Sequence, residues 1–490
     1  MSILAPWLDG AAPGPIHVVG ASGAEGVALL LFLVGELEID RVVAHDFSGD
    51  PRAFARSFRK ANTAWERRER EAILKRLLRL PIDLRLGDRY LDGVQDAALI
   101  FASQNWFNYA SNLPALPDAI AAGAKLRGVV DLAMDLFPGV RLGVTGSNGK
   151  STTAGMLAWM LRTALPEGSR LFHGGNDRDA QVALADLRGA NAADRLVWEV
   201  SNRHLRDRTV PVDVGVLTNI TRNHIEDHGS FEAYITAKTR LLRGVGPTGH
   251  AIVTPGDPVS AGLIEDLRAD VGTIWQVGAA PDRDGDGFVW LDGDTVCART
   301  PDGRRLTLGS AASLPLPGSH NCLNLLSAVA AALAGGALAD RLEAGWSSFP
   351  AMPGRLELVA EDAGVRWIFD IQATTAPAAE AGIRAIGGTG TVLIVGGEDK
   401  GMDYSGMADA ARAHCRAIVA LPGTGTDALA EALDGALPIH AFDALDAALA
   451  RARELAEPGD AVLLSPGCAF FSSRYIAGRS FHSRVGELLG

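Results

Sequence analysis

VRLGVTGSNGKSTT, residues 140–153, sets an apolar run against a glycine-bracketed turn and a polar helix start. The run through Val144 reads as a buried strand, and the amphipathic segment continuing to Leu161 reads as a helix. Between them, Gly146 and Gly149 allow backbone N–H groups to approach phosphate oxygens. Lys150 can meet β- and γ-phosphate charge, and Ser151 can reach magnesium. Strand, loop and helix in this order form a phosphate loop, whose nucleotide-binding set is Gly146, Ser147, Asn148, Gly149, Lys150, Ser151 and Thr152. One position departs from the general GxxxxGK[ST] pattern: Val144 stands where the first glycine is usual.

Outward from the loop the chain reads as α/β. Upstream, Ile16 to Val19, the turn GASGAEG from Gly20 to Gly26, the apolar stretch Val27 to Val34 and the run Arg41 to Ala44 ending at Asp46 suggest a Rossmann-type unit. Its glycine spacing is not GxGxxG, so a nucleotide-binding turn and a structural turn both stay open. Residues 52–89 carry 12 Lys or Arg against 5 Asp or Glu, with Ile73, Leu77 and Leu80 at helical spacing, and read as solvated helix. Downstream, Leu196 to Val200 and Val212 to Asn219 read as strands, and Ala233 to Leu242 and Asn324 to Leu333 as helices. Residues 278–309 alternate in short runs with Asp-Gly turns, as hairpins do. Their DRDGDG, residues 282–287, imitates the start of a calcium loop, but the twelfth position would be Gly293 and no helices flank it, which argues against calcium. A last unit starts near Met352 to Arg355. Strands at Arg366 to Asp370, Thr391 to Val395, Ala417 to Leu421 and Ala461 to Ser465 alternate with Ala-rich helices in a second doubly wound sheet. Domains are expected at 1–138, 139–351 and 352–490.

Composition narrows the function. The chain has 490 residues, 47% hydrophobic and 21% charged, which fits a folded protein of several domains. A net charge of -12 argues against a general nucleic-acid binder, so an anionic ligand must be held locally by Lys, Arg, backbone amides and metal. Cys297, Cys322, Cys415 and Cys468 form no CxxC pair, which fits a reducing cytoplasm. The longest uncharged apolar stretch, Leu325 to Ala339, falls short of the roughly 18 residues that span a bilayer. No export signal and no membrane span are expected.

A series of further motifs accompanies the loop, in order: WEVS (198–201), LTNITRNHIEDH (217–228), FEAYITAKTRLL (231–242), LPLPGSHNCLNLLSA (314–328), MPGRLE (352–357), FDIQATT (369–375), VLIVGGEDKGMDYS (392–405) and VLLSPGCAFF (462–471). With the TGxNGK[ST]T form of the loop, this series resembles the Mur ligase family from about Gly143 to the end; the N-terminal part matches loosely, with a long insertion near residues 50–95. The resemblance implies three domains: a Rossmann-like N-terminal unit for a UDP-sugar, a P-loop ATPase core and a doubly wound C-terminal unit for an amino acid. It implies Lys150, Glu199, His224, Lys238 and Arg355 as catalytic residues. It further implies ATP with Mg2+ held by Ser151, Glu199, His224 and a Lys238 carbamylated by carbon dioxide. Asn321, Asn324, Arg355 and Asp370 are implied nucleotide contacts. Asn176, Ser201, Thr374, Lys400, Ser465 and Phe470 are implied substrate contacts.

Within the family, the spacing through GGEDKGMDYS and SPGCA is similar to the members that add glutamate to UDP-N-acetylmuramoyl-L-alanine. The glutamate pocket departs from the pattern of D-glutamate enzymes, DSKATN and SPACASxDxF. Gln372 replaces the lysine, Phe470 replaces a serine, and Ala477 replaces a phenylalanine, while Thr374 and Lys400 are kept. These changes suggest the branch that adds L-glutamate. A D-glutamate ligase, a folate-type polyglutamate ligase and a non-catalytic ATP-binding regulator stay open as alternatives. The expected enzyme is a cytoplasmic monomer with no nucleic-acid partner.

Overall fold

The computed structural model describes residues 4, 14–62, 65–175, 184–187, 189–222, 225–279, 281–350, 352–476 and 479–490. These residues build three sheets in succession. The first contains β1 (Ile16–Val19), β2 (Val42–Asp46), β3 (Asp83–Leu86), β4 (Leu99–Ala102) and β5 (Lys125–Arg127), all parallel, in the order β3-β2-β1-β4-β5. Helix α1 (Ala24–Leu33) follows β1, as the apolar run from Val27 suggests. The basic stretch after β2 forms α2 (Pro51–Ala61) and α3 (Arg67–Leu77). Asp50 starts α2 by accepting hydrogen bonds from the backbone N–H groups of Arg52 and Ala53, with Pro51 at the first helical position. Phe54 and Phe58, one turn apart, are buried together with Leu74 and Leu77 of α3, so the arginines between them face solvent. The sequence suggests an insertion here; the structure makes the two helices the crossover to β3, which pairs with β2 through Ala44 and Leu84.

The second sheet holds β6 (Val140–Thr145), β7 (Leu171–Gly174), β8 (Arg195–Glu199), β9 (Val214–Leu217), β10 (His250–Val253), β11 (Thr273–Val277), β12 (Gly287–Asp292), β13 (Thr295–Arg299) and β14 (Arg305–Ser310). Its order is β14-β13-β12-β11-β10-β9-β6-β8-β7. The expected hairpins are β12 to β14, the antiparallel part of the sheet. No calcium loop is needed to explain DRDGDG: Asp286 takes a two-pronged ion pair from Arg268 at 3.0 and 2.9 Å. Helices α4 (Lys150–Ala164), α5 (Phe231–Arg243) and α6 (Ser319–Ala334) pack on this sheet. The chain leaves β6 in one direction for β7 and β8 and returns on its other side with β9. The loop after β6 therefore lies at a switch point, where open α/β sheets bind ligands.

The third sheet comprises β15 (Glu357–Asp362), β16 (Val365–Phe369), β17 (Thr391–Val395), β18 (Cys415–Ala420), β19 (Ile439–Ala441) and β20 (Ala461–Leu464), in the order β15-β16-β20-β17-β18-β19. Only β15 runs antiparallel to its neighbour among these strands. Helix α7 (Ala376–Ile386) follows β16. Asp370, Ser465 and Gly396 directly follow the central strands β16, β20 and β17, so the three C-terminal motifs share one end of the sheet. Among the described residues no helix is long and apolar enough to cross a membrane.

Candidate active site

Main-chain geometry builds the phosphate loop. Gly149 has φ +81°, and a Cβ there would come within 2.3 Å of the Asn324 amide oxygen. At Gly146, φ +148°, a Cβ would meet the Thr218 hydroxyl at 1.9 Å. Only glycine fits such approaches. The loop is then tied to the end of β9: Ser147 N donates to Asn219 O at 2.9 Å, Asn148 N to the Asn219 side chain at 3.0 Å, and Thr218 Oγ1 to Asn148 O at 2.6 Å. Ser147 Oγ accepts from Thr221 N at 2.9 Å and lies 2.9 Å from the Tyr234 hydroxyl of α5. From α6, Asn324 accepts from Thr153 at 3.2 Å and donates to Asn321 at 3.2 Å.

A cavity of about 910 Å³ opens over this loop and is lined from two of the three sheets. Ser147, Asn148, Gly149, Lys150, Ser151, Thr152, Glu199, Asn321 and Asn324 come from the central part. Arg355, Asp370, Gln372, Thr374 and Lys400 come from the C-terminal part. Thr375 bridges the two, its hydroxyl 3.4 Å from Asn148 Oδ1. Lys150 Nζ donates to Ser147 O at 2.9 Å; burial holds its ammonium below the usual lysine range, Glu199 opposes this and Arg355 adds to it.

Lys238 is fully buried on α5, 3.4 Å from Thr145 Oγ1 and 4.9 Å from the centre of the Tyr234 ring. Burial, and after it the Lys150 charge, push its amine well below the ordinary lysine range, against the pull of Glu199. Glu199 itself is buried at the end of β8. Among the described residues no three His, Cys, Asp or Glu side chains gather into a metal-binding group. His224, an expected metal ligand, lies outside the described residues, as do Asn176 and Ala477.

Two expected substrate contacts stand off this cavity. Ser465 is fully buried, and its hydroxyl donates to Asp370 Oδ2 at 2.8 Å, so it supports a neighbour and does not face the wall. Asp370 also accepts from Leu356 N at 3.2 Å; burial pushes its carboxyl up to about 7, against Ser465, Leu356 and Arg355. Phe470 is 68% exposed, sits at φ +63°, and does not line the cavity. Gly146 likewise lies behind the wall while shaping it.

A second cavity, of about 810 Å³, opens at the ends of β1, β2 and β4. The turn at Gly20 to Gly26, Asp46, Phe47, Gln104, Tyr109, Ser201 and Arg203 line it. Lys150 lies on the wall of both cavities.

Comparison with known proteins agrees with this architecture. The pattern described as the Mur ligase middle domain matches residues 144–332, and that described as the Mur ligase glutamate ligase domain matches residues 354–468. UDP-N-acetylmuramoylalanine–D-glutamate ligase of Roseiflexus sp. (strain RS-1) is 33% identical over 412 residues, 82% of this chain and 86% of that one. The chain belongs to the Mur ligase family. The enzyme of the same name from Myxococcus xanthus is 35% identical over 73% of this chain and 77% of its own. Among solved structures, a pseudomurein peptide ligase type C from Methanothermus fervidus aligns with a TM-score of 0.55 at 17% identity, covering 97% of this chain and 100% of that one. MurF ligase of Thermotoga maritima, solved with ADP, aligns at 0.51 and 18% identity, covering 81% and 97%. These likenesses confirm the α/β fold expected of a Mur ligase, an ATP-dependent ligase of peptidoglycan synthesis. The relatives' names specify D-glutamate and so support the D-glutamate alternative better than the L-glutamate reading of the sequence.

Sequence reasoning missed several residues that shape this Mur ligase site. Tyr234 braces Ser147 and carries Lys238 against its ring; its spacing of one helical turn before Lys238 was the available signal. Asp257, which holds Ile220 N at 3.2 Å beside the loop, and Arg203, on the second cavity, carry no motif of their own.

Proposed function

We propose that this Mur ligase joins glutamate to UDP-N-acetylmuramoyl-L-alanine, with ATP in the first cavity and the UDP-sugar in the second. The shared Lys150 is the observation that carries this reading: one cation reaches both chambers, where a carboxylate and the γ-phosphate must meet. A carboxylate is a poor acyl donor. It first attacks the γ-phosphorus of ATP, releasing ADP and leaving an acyl-phosphate, while Lys150 and Arg355 offset charge on the equatorial oxygens. The amine of glutamate, held near Lys400 and Thr374, then displaces phosphate to form the amide. The Thr375 contact with Asn148 is consistent with the C-terminal part closing over the loop and excluding water.

The residues fit magnesium in kind. Ser151, Glu199 and His224 offer oxygen and imidazole donors, and magnesium would neutralise phosphate charge there. Lys238 has the buried, readily deprotonated amine that carbon dioxide needs, and a carbamate would turn it into an oxygen donor. Asn321 and Asn324 would hold adenosine; Asp370 and Ser465 would brace the nucleotide side of the C-terminal wall. Asn176 and Ser201 complete the substrate set as proposed contacts. The working division is 1–138, 139–351 and 352–490, in a cytoplasmic monomer.

For the enantiomer we propose L-glutamate, against the D-glutamate of the relatives' names. The specific support is Gln372, an uncharged side chain on the cavity wall beside Thr374 and Lys400 where D-glutamate enzymes of the pattern above carry lysine. Inversion at Cα exchanges side chain and hydrogen while the amine must still face the acyl-phosphate, so a lost side-chain contact bears directly on handedness. Incubation with each enantiomer, followed by hydrolysis and chiral chromatography of the product, tests it; a clear preference for D-glutamate rejects the L reading and leaves the ligase reading standing.

A further inference from the structure

The basic stretch after β2 stands mostly outside both cavities. Residues 51–79 carry ten Lys or Arg against three Glu, in a chain whose net charge is -12. Lys60 lines the second cavity, and the other nine cations line neither. Arg59 pairs with Glu71 at 2.6 Å, Arg76 pairs with Glu36 at 2.8 Å, and Arg70 reaches the Asn62 carbonyl at 3.5 Å. Arg52, Arg56, Arg67, Arg68, Lys75 and Arg79 are exposed, and among the described residues they make no ion pair.

Helical spacing sets these cations in two rows. On α2, Arg52, Arg56 and Arg59 follow at steps of four and three, opposite the buried Phe54 and Phe58. On α3, Arg67, Glu71 and Lys75 follow at steps of four, while Leu74 and Leu77 turn into the core. The Arg59–Glu71 pair joins the rows, since each partner stands in one of them. The result is one basic face, roughly 12 Å long from Arg67 to Lys75 at about 1.5 Å per residue. Like charges at such spacing repel each other and cost helix stability. A neutral polar row would solvate the helices equally well without that cost, so the uncompensated charge calls for a negative partner.

We propose that the face of α2 and α3 docks this protein, peripherally and reversibly, on an anionic phospholipid surface. The inference goes beyond the ligase reading and does not depend on it. Charge complementarity carries it: clusters of about four to eight Lys or Arg on a helix are attracted to anionic headgroups. Planarity selects lipid over nucleic acid, because a long polyanion runs past the face and meets the acidic remainder of the chain, whereas a bilayer touches only the side turned toward it. Base stacking lacks a platform here as well, since Trp65 packs against the core. Leu78, 50% exposed between Lys75 and Arg79, supplies an apolar tip at the edge of the face. The apolar sides of both helices are already buried in the core, so neither helix inserts, and the contact is electrostatic and sensitive to salt.

The test is co-flotation of the full-length protein with vesicles of phosphatidylcholine, alone or with about 30% phosphatidylglycerol, at about 50 mM and about 500 mM salt. Binding should appear only with phosphatidylglycerol at low salt. Arg67→Gln/Arg68→Gln/Lys75→Gln/Arg79→Gln should lower the vesicle partition coefficient at least about thirtyfold, and Arg52→Gln/Arg56→Gln on the other row at least about threefold. Neutralising four exposed arginines elsewhere, Arg162, Arg243, Arg304 and Arg412, should change it by less than about twofold. Circular dichroism and turnover without vesicles should match the wild type in the α2 and α3 variants. Failure to bind phosphatidylglycerol vesicles at low salt, or undiminished binding by both variants, overturns the proposal. So does tighter binding, at the same salt, to duplex DNA or to polyglutamate, which would make the partner a nucleic acid or an acidic protein. A KM for the UDP-linked substrate that rises in the α3 variant while vesicle binding holds also overturns it, because the face would then steer substrate.

Discussion

The phosphate loop and the C-terminal glutamate motifs hold their residues by different means. Ser147 to Thr152 all reach one cavity wall, because a contiguous stretch of backbone is pinned to Thr218 and Asn219 and no residue has freedom to turn away. The C-terminal motifs come from the ends of three strands, and their side chains divide: Thr374 and Lys400 line the wall, Ser465 turns inward to Asp370, and Phe470 stands out in solvent. A site made of main chain is fixed by its own sequence. A site made of side chains from separate strands depends on which way each one points, and this is where specificity can change without disturbing the nucleotide site.

The largest effect should come from breaking the first region. Lys150→Ala should lower phosphate release about a thousandfold while circular dichroism and the unfolding midpoint stay near those of the wild type, because the change removes charge at a loop and leaves core volume alone. Near-normal turnover in a folded variant would reject the role of the loop lysine. Next comes Lys238→Ala, for which a loss of at least about a hundredfold is expected, with partial recovery on adding short carboxylic acids that can supply the missing oxygen donor. Full activity without added acid would remove Lys238 from the reaction.

Changes in the second region should act on choice of amino acid. L-glutamate should be used at least about tenfold more efficiently than D-glutamate, equivalent to roughly 1.4 kcal/mol at the transition state. Gln372→Lys, on the cavity wall, should erode that preference, whereas Phe470→Ser, away from it, should change it by less than about threefold. A Phe470 effect larger than the Gln372 effect, read from kcat/KM for each enantiomer, would show that the wall as drawn is not the glutamate pocket.

The smallest effect on turnover lies in the N-terminal sheet, remote from both regions. His17 and His45 are buried and stacked, Nδ1 of one 2.7 Å from Nε2 of the other. Burial first, and Arg85 second, pull His17 down to about 4; burial first, and His17 second, pull His45 down to about 3. In the unfolded chain both titrate near their ordinary value of about 6.5, so below that pH the unfolded chain binds protons that the native one refuses. Stability should therefore fall as pH drops from about 6.5 toward 4, by up to ~1.4 kcal/mol per pH unit for each histidine. Urea unfolding across that range should show a flatter acid limb in His17→Gln; an unchanged limb would mean the pair does not govern it.

How legible each part was follows from the same contrast. The strand before the loop, the loop itself and helices α5 and α6 were readable because local pattern and fold agree, as in the apolar run of Val140 to Val144. The edge strands β3, β7 and β19 were not, since short half-exposed runs such as Asp83 to Leu86 carry little apolar signal. The motif order pointed to Glu199, Asn321, Asn324 and Arg355, and the structure gathers them on one wall. Sequence gave no sign that Ser465 would spend its hydroxyl on Asp370, because that hydrogen bond spans 95 residues between two strand ends. Nor could it pair Phe47 with Tyr109, which meet only once β2 and β4 flank β1 in one sheet. Lys150 was legible as a phosphate contact, while its place between two cavities is a property of how the parts assemble.

That shared position is tested most directly by measuring phosphate release with ATP, UDP-N-acetylmuramoyl-L-alanine and glutamate, supplied together and with each omitted. Release that requires all three, and that yields one amide product per ATP consumed, is the predicted result. Release that is unaffected by omitting the UDP-linked substrate, or no release with either enantiomer of glutamate, would contradict a ligase whose lysine joins the two chambers.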